Sequence, residues 1–117
     1  MRYAFLLYND ESTSPAPDSP ELNERIAAYG GFTDAATKAG IMQAGEALQN
    51  TATATVVRAG TDGSPLTTDG PYAETKEQLA GFYILDCENL DQAVEWATKI
   101  PAASHGMVEV RPIWDLR

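Results

Sequence analysis

The chain has 117 residues, 44% hydrophobic and 21% charged, with 8 basic against 17 acidic side chains and a net charge of −9. That length holds one domain, residues 1–117, with a real core but not two. The acidic balance repels phosphate backbones and anionic membrane surfaces, so neither nucleic acid nor membrane is an expected partner. No apolar run approaches the roughly 20 residues that span a bilayer, and the opening MRYAFLLYND reads as a first strand rather than a secretion signal. Cys87 is the single cysteine, so no internal disulfide can form. No Cys/His spacing suggests a metal, no cofactor is expected, and the expected compartment is the reducing cytoplasm.

In chain order, residues 3–8 (YAFLLY) predict a strand apolar on both sides: Tyr3, Phe5 and Leu7 on one, Ala4, Leu6 and Tyr8 on the other. Residues 9–19 are polar, hold two prolines, and read as a loop. Ser19 before Pro20 is an N-cap followed by proline at the first helical position. Leu22, Ile26 and Tyr29 give the helix one apolar stripe. Gly30 and Gly31 interrupt its middle, marking a kink or a close packing, and Gly40 supplies its stop. Residues 41–48 (IMQAGEAL) predict a second strand with Met42, Ala44, Glu46 and Leu48 on one face. Residues 53–58 and 65–68 flank a turn at 60–63 and read as a hairpin. Residues 81–87 (GFYILDC) form a strong strand. Asn89 with Gln92 three residues on resembles a capping box. The helix behind it carries Leu90, Ala93, Val94, Ala97 and Ile100 on one face, and Pro101 ends it. Residues 107–114 are the last strand.

The order β-α-β-(insert)-β-α-β is the ferredoxin-like split pattern of an α+β fold. Two helices cover only one face of the sheet. Because both faces of the first strand are apolar, a second copy is expected to cover the other, giving a homodimer.

The densest functional segment is TDGPYAETKEQLAGF, residues 68–82. Together with YAFLLYND (3–10), AGEAL (44–48), TATVV (53–57), LDQAVEWATKIP (90–101) and HGMVEVRPIW (105–114), it resembles the DGPF subgroup of the YCII-related family. The resemblance covers almost the whole chain. It implies a ferredoxin-like protomer that pairs through its sheets into a dimeric α/β barrel, in a bacterial cytoplasm. Relatives often occur beside, or fused to, sigma factors of the extracytoplasmic-function type, and no such fusion is expected within these 117 residues. Catalysis proposed for YCII proteins proper uses a His/Asp pair with the histidine on the first helix. Here that helix carries Arg25, Tyr29 and Lys38 but no histidine, so that proposal does not transfer.

Two constellations are candidates for chemistry. Glu109 and Arg111, two apart on the last strand, share a face with Met107 and Ile113, with Glu46 as a candidate acidic neighbour. A guanidinium in a partly dry cleft can hold a small anionic ligand, or instead form an Arg–Glu network that fixes the dimer. The second set is Asp69, Tyr72, Glu74, Lys76 and Glu77. Asp69 or Glu77 would act as a base, and Tyr72 or Lys76 as proton donor or anion clamp; the alternative is a self-capped, solvated loop. Residues 73–79 suit a short helical turn. His105 is the only histidine and a further catalytic candidate, placed in a turn before the last strand, where a structural or solvated ring is the plainer reading. Cys87 reads as a small core hydrophobe. The sequence thus supports a small-molecule enzyme or binding protein with a cleft near the 68–80 loop. Its rivals are a non-catalytic regulatory module working with sigma-type transcription systems and, from the barrel fold alone, a muconolactone-isomerase-like or monooxygenase-like enzyme.

Overall fold

The computed structural model describes residues 1–69 and 77–116, and of residues 68 and 69 the main chain only. The elements are β1 (Arg2–Asn9), α1 (Pro20–Lys38), β2 (Met42–Ala47), β3 (Thr55–Ala59), β4 (Pro65–Asp69), β5 (Gln78–Asp86), α2 (Leu90–Ala97), α3 (Ala102–His105) and β6 (Met107–Pro112). Four strands make one antiparallel sheet in the order β2-β5-β1-β6, and β3 and β4 make a separate two-stranded sheet. The expected α+β, ferredoxin-like topology is therefore the one observed.

The core lies between the sheet and the helices. Tyr3, Phe5 and Leu7 of β1, Tyr83 and Leu85 of β5, Phe32 and Ala36 of α1, and Ala93 and Ala97 of α2 are buried together with Ile100 and Cys87. Phe32 anchors an aromatic cluster, 5.0 Å from the Tyr83 ring and 6.0 Å from Trp96. The buried edge of α1 is set by Phe32 and Ala36, whereas Ile26 of the expected stripe is 60% exposed. In α2 the small residues face inward, and Leu90 and Val94 turn to solvent.

Side-chain chemistry fixes the helix ends. Ser19 Oγ accepts from the Leu22 amide, and Asn89 Oδ1 accepts from Gln92 N while Gln92 Oε1 accepts from Glu88 N. After α1, Gly40 takes φ +76°. Gly40 N then donates to Thr37 O and Ile41 N to Ala36 O, closing a Schellman motif that aims Ile41 at the core. Gly30 and Gly31 do not break α1, which runs through them, and they mark no close packing: no neighbouring atom lies within 4 Å of where either Cβ would stand.

Other boundaries move for local reasons. Gln78 and Leu79 already belong to β5, so no helical turn includes them. β6 stops at Pro112. Beyond α2 the chain forms the short α3, so His105 ends a helix rather than sitting in a turn. A bulge at Gln43 breaks the alternation of β2. Met42 pairs with Leu85 on the helix side, while Ala44 and Glu46 pair with Ile84 and Phe82 on the other.

The face of the sheet away from the helices is uncovered. The Cα atoms span 48 × 44 × 19 Å, and the 19 Å dimension fits one helix layer on one sheet. The radius of gyration, 16.3 Å, exceeds the ~13 Å expected of a compact domain of this size. Ala4, Leu6, Phe82 and Ile84 on this face are only half-buried.

Candidate functional site

The strand register assembles a site on the uncovered face. Leu6 is opposite Glu109, Ala4 opposite Arg111 and Tyr8 opposite Met107. With Glu46 opposite Phe82 and Ala44 opposite Ile84, the face reads as two cross-sheet rows: Glu46–Phe82–Leu6–Glu109 and Ala44–Ile84–Ala4–Arg111. The middle of both rows is apolar and the ends of the first are acidic. Gly106 makes the Tyr8–Met107 pairing possible, because a Cβ there would collide with the Tyr8 carbonyl oxygen. That close approach brings β6 alongside Tyr8.

Glu109 is the centre of a short polar relay. Its Oε1 accepts from Tyr8 OH at 3.1 Å, and its Oε2 accepts from Arg111 Nε at 2.8 Å and from Arg111 Nη2. The Arg111 guanidinium holds the Glu109 carboxyl below the usual carboxylate range, and the Tyr8 hydrogen bond adds to this. Glu109 in turn raises the Arg111 pKa, so the guanidinium stays charged. Burial, then the hydrogen bond to Glu109, push the Tyr8 phenol above its ordinary value, so it remains a proton donor at neutral pH. Arg111 carries five N–H groups. Its bonds to Glu109 run through Nε and Nη2 alone, and its side chain is 67% exposed. The remaining N–H groups make no hydrogen bond to a described residue, and the register sets Arg111 beside Ala4 at the edge of the floor formed by Leu6, Phe82 and Ile84.

Sequence reasoning placed Glu109 and Arg111 together on this face, and they are together. It did not single out Tyr8, whose role depends on the β1–β6 register. Glu46 shares the face but cannot be the neighbour of Arg111 within one chain: it lies on the opposite edge, three strand spacings or ~14 Å away. Glu46 is exposed and makes no ion pair with a described residue.

The second constellation is not assembled here. Tyr72, Glu74 and Lys76 lie outside the described residues, as does the side chain of Asp69, whose main chain pairs with Thr55. Glu77 is exposed at the bend that leads into β5. A different carboxylate organises this end of the sheet. Glu11 accepts from Thr51 N at 2.8 Å and Thr51 Oγ1 at 2.9 Å, while the Glu11 amide donates to Gln78 Oε1. The staple ties the loop after β1 and the loop after β2 to the start of β5, where the 68–82 segment rejoins the sheet.

His105 sits in the helix layer, apart from the sheet-face site. With Glu21, Glu24, Arg25, Ala28, Pro101 and Ser104 it lines a shallow groove between α1 and α3. Its Nε2 is out of contact with solvent and has no hydrogen-bond partner among the described residues. Burial first, then Arg25, lower its pKa, so the ring is neutral at pH 7. Cys87 is buried and its thiol pKa is raised by burial, as befits a core side chain. Among the described residues no cluster of three His, Cys, Asp or Glu could hold a metal ion, and no helix is long and apolar enough to cross a membrane.

A four-stranded antiparallel sheet in this order, with helices on one face and a polar relay on the other, defines an α+β protein of ferredoxin-like topology. The chain belongs to the YCII-related family, whose domain profile matches residues 1–117. It is also similar to an uncharacterized protein of Rhizobium meliloti (strain 1021). The two are 38% identical over 115 residues, which cover 97% of this chain and 92% of that protein.

Proposed function

We propose that this YCII-related protein, of the DGPF subgroup, is a cytoplasmic homodimer that binds, and as an enzyme would act on, a small carboxylic acid with an apolar body. The uncovered sheet face is the floor of the site. The observation that carries this reading is the Tyr8–Glu109–Arg111 relay at the border of the half-buried Leu6, Phe82 and Ile84. The remaining guanidinium N–H groups can take a carboxylate bidentately. The apolar floor takes the body of the ligand, and the neutral Tyr8 phenol is the nearest proton donor. A second copy over this face turns a flat surface into a closed cleft and removes water, which strengthens each polar contact.

A second reading has its own support. Arg111 already engages Glu109, as it would in a non-catalytic interaction module working with sigma-type transcription systems. A thermal-shift screen of small carboxylates, phosphates and lactones separates the two. Under the ligand reading, apolar carboxylates raise Tm saturably in the wild type and Arg111→Ala abolishes the shift. A flat response across the carboxylates rejects that reading.

A further inference from the structure

We infer that the sheet-face site selects acids that carry a hydroxyl beside the carboxylate: Arg111 holds the carboxylate, and the Tyr8 phenol oxygen accepts the hydroxyl hydrogen. The inference rests on the carboxylate-binding reading above and adds to it a specificity-determining residue and a ligand class. Both groups come from one chain, so it does not depend on how a second copy covers the face.

Hydrogen-bond polarity carries the argument. A phenol has one hydrogen to donate and lone pairs with which to accept. Tyr8 Oη lies 3.1 Å from Glu109 Oε1. Arg111 Nε and Nη2 both donate to Glu109 Oε2, and the Glu109 carboxyl is held below the usual carboxylate range, ionised at neutral pH. An ionised carboxylate only accepts, so the hydrogen between Tyr8 and Glu109 belongs to the phenol and is committed inward. Tyr8 Oη makes no second hydrogen bond to a described residue. While the relay stands, its remaining lone pairs are therefore what a ligand meets. The relay offers two unlike groups: guanidinium N–H groups that donate and a phenol oxygen that accepts.

Their spacing sets the ligand class. One carboxylate carries both groups, Tyr8 on one oxygen and Arg111 on the other. A ligand that reaches both places its donor close to its own carboxylate, not at its far end. A hydroxyl brings one hydrogen to one acceptor, whereas an ammonium brings three. The surplus hydrogens would lie unsatisfied over the half-buried Leu6 and Phe82 once water is excluded. A keto oxygen in the same place would meet the phenol lone pairs and be repelled. The main chain holds Tyr8 at this point, since it pairs with Met107 and Gly106 lets β6 close on its carbonyl.

The probes are mandelate, phenylacetate and phenylglyoxylate. They share a carboxylate and a phenyl body, and carry on the adjoining carbon a hydroxyl, no polar group and a keto oxygen respectively. Calorimetric titration of the wild type should rank them in that order. The better enantiomer of mandelate should bind about fivefold more tightly than phenylacetate, the ordinary effect of one hydrogen bond. Tyr8→Phe should bring those two acids to equal affinity. Glu109→Gln should move the preference to phenylglyoxylate. Arg111 still requires an acceptor, so the amide oxygen turns to Arg111 and the amide NH2 to Tyr8; the phenol then accepts from that NH2 and turns its own hydrogen outward.

A wild type that prefers phenylglyoxylate, or that binds the three acids equally, overturns the inference and leaves the carboxylate reading standing. So does a mandelate preference that survives in Tyr8→Phe or in Glu109→Gln. If none of the three binds the wild type, the carboxylate reading falls as well. A merely structural Tyr8–Glu109 contact would weaken all three acids together and would not change their order. Far-UV circular dichroism confirms that the variants are folded. Tyr8→Phe, which removes one oxygen and keeps the ring, decides the matter if Glu109→Gln does not fold.

Discussion

His105 illustrates how a single side chain couples this fold to pH. Its ring is kept neutral by burial and by the neighbouring Arg25, so its pKa in the folded protein lies below the ordinary 6.5. In the unfolded chain the ring regains its ordinary value. Between the two values the unfolded state binds more protons, and stability rises with pH. The contribution is complete above about pH 6.5 and drains away as pH falls toward the folded value. Glu21 and Glu24, which share the groove, supply charge that an imidazolium could meet, yet Nε2 itself is turned away from any partner. Melting temperature measured from pH 7.5 to 5.5 should fall in the wild type, and His105→Gln should flatten that slope. An unchanged slope in the variant would remove His105 from the pH response. The place of His105 at a helix end has a local cause. A Ser-His-Gly sequence suggests a turn, but Pro101 starts a new short helix instead of merely ending the previous one.

At the scale of elements, α1 carries an avoidable entropic cost. Two exposed glycines lie inside an unbroken 19-residue helix, and no neighbouring atom lies within 4 Å of where either Cβ would stand. Each costs the helix about 1 kcal/mol relative to alanine. The double variant Gly30→Ala, Gly31→Ala should therefore gain up to about 2 kcal/mol, raising Tm by roughly 4 °C per kcal/mol. A drop in Tm would mean that something does pack there. The order of elements was legible in the sequence because caps, turns and hydrophobic periods agree: Ser19–Pro20, Gly40 and Asn89–Gln92 sit where the structure uses them. Side-chain facing within elements was legible only where alternation is unbroken. It is unbroken through Glu109 and Arg111 of β6, and that half of the site could be read. The bulge at Gln43 moved Met42 off the face of Glu46, and no local signal marks it. The Tyr8 contact and the Glu11 staple join residues 101 and 40 positions apart, a kind of pairing that depends on register rather than on any local pattern.

At the scale of the molecule, the two faces of the sheet differ in how they are satisfied. Phe5 and Leu85 on the helix side are fully buried, whereas Leu6, Phe82 and Ile84 on the other side are held half-open to water. Leu48, Leu79 and Met107 extend that apolar surface, each more than a third exposed. A net charge of −9 opposes association of two copies, so pairing must come from apolar burial and from locally matched charges rather than from overall attraction. A carboxylate at the centre of the face would be desolvated without a partner, whereas in a separated protomer it would stay hydrated at little cost. Phe82→Asp should therefore leave each protomer folded while converting the protein from twice the chain mass to once the chain mass in sedimentation equilibrium. The same variant should lose its response to phenylacetate, because the cleft exists only between two copies. A wild type that sediments as a single chain at micromolar concentration would reject the dimer and, with it, the closed cleft. A Phe82→Asp protein that remains dimeric would move the interface to another surface.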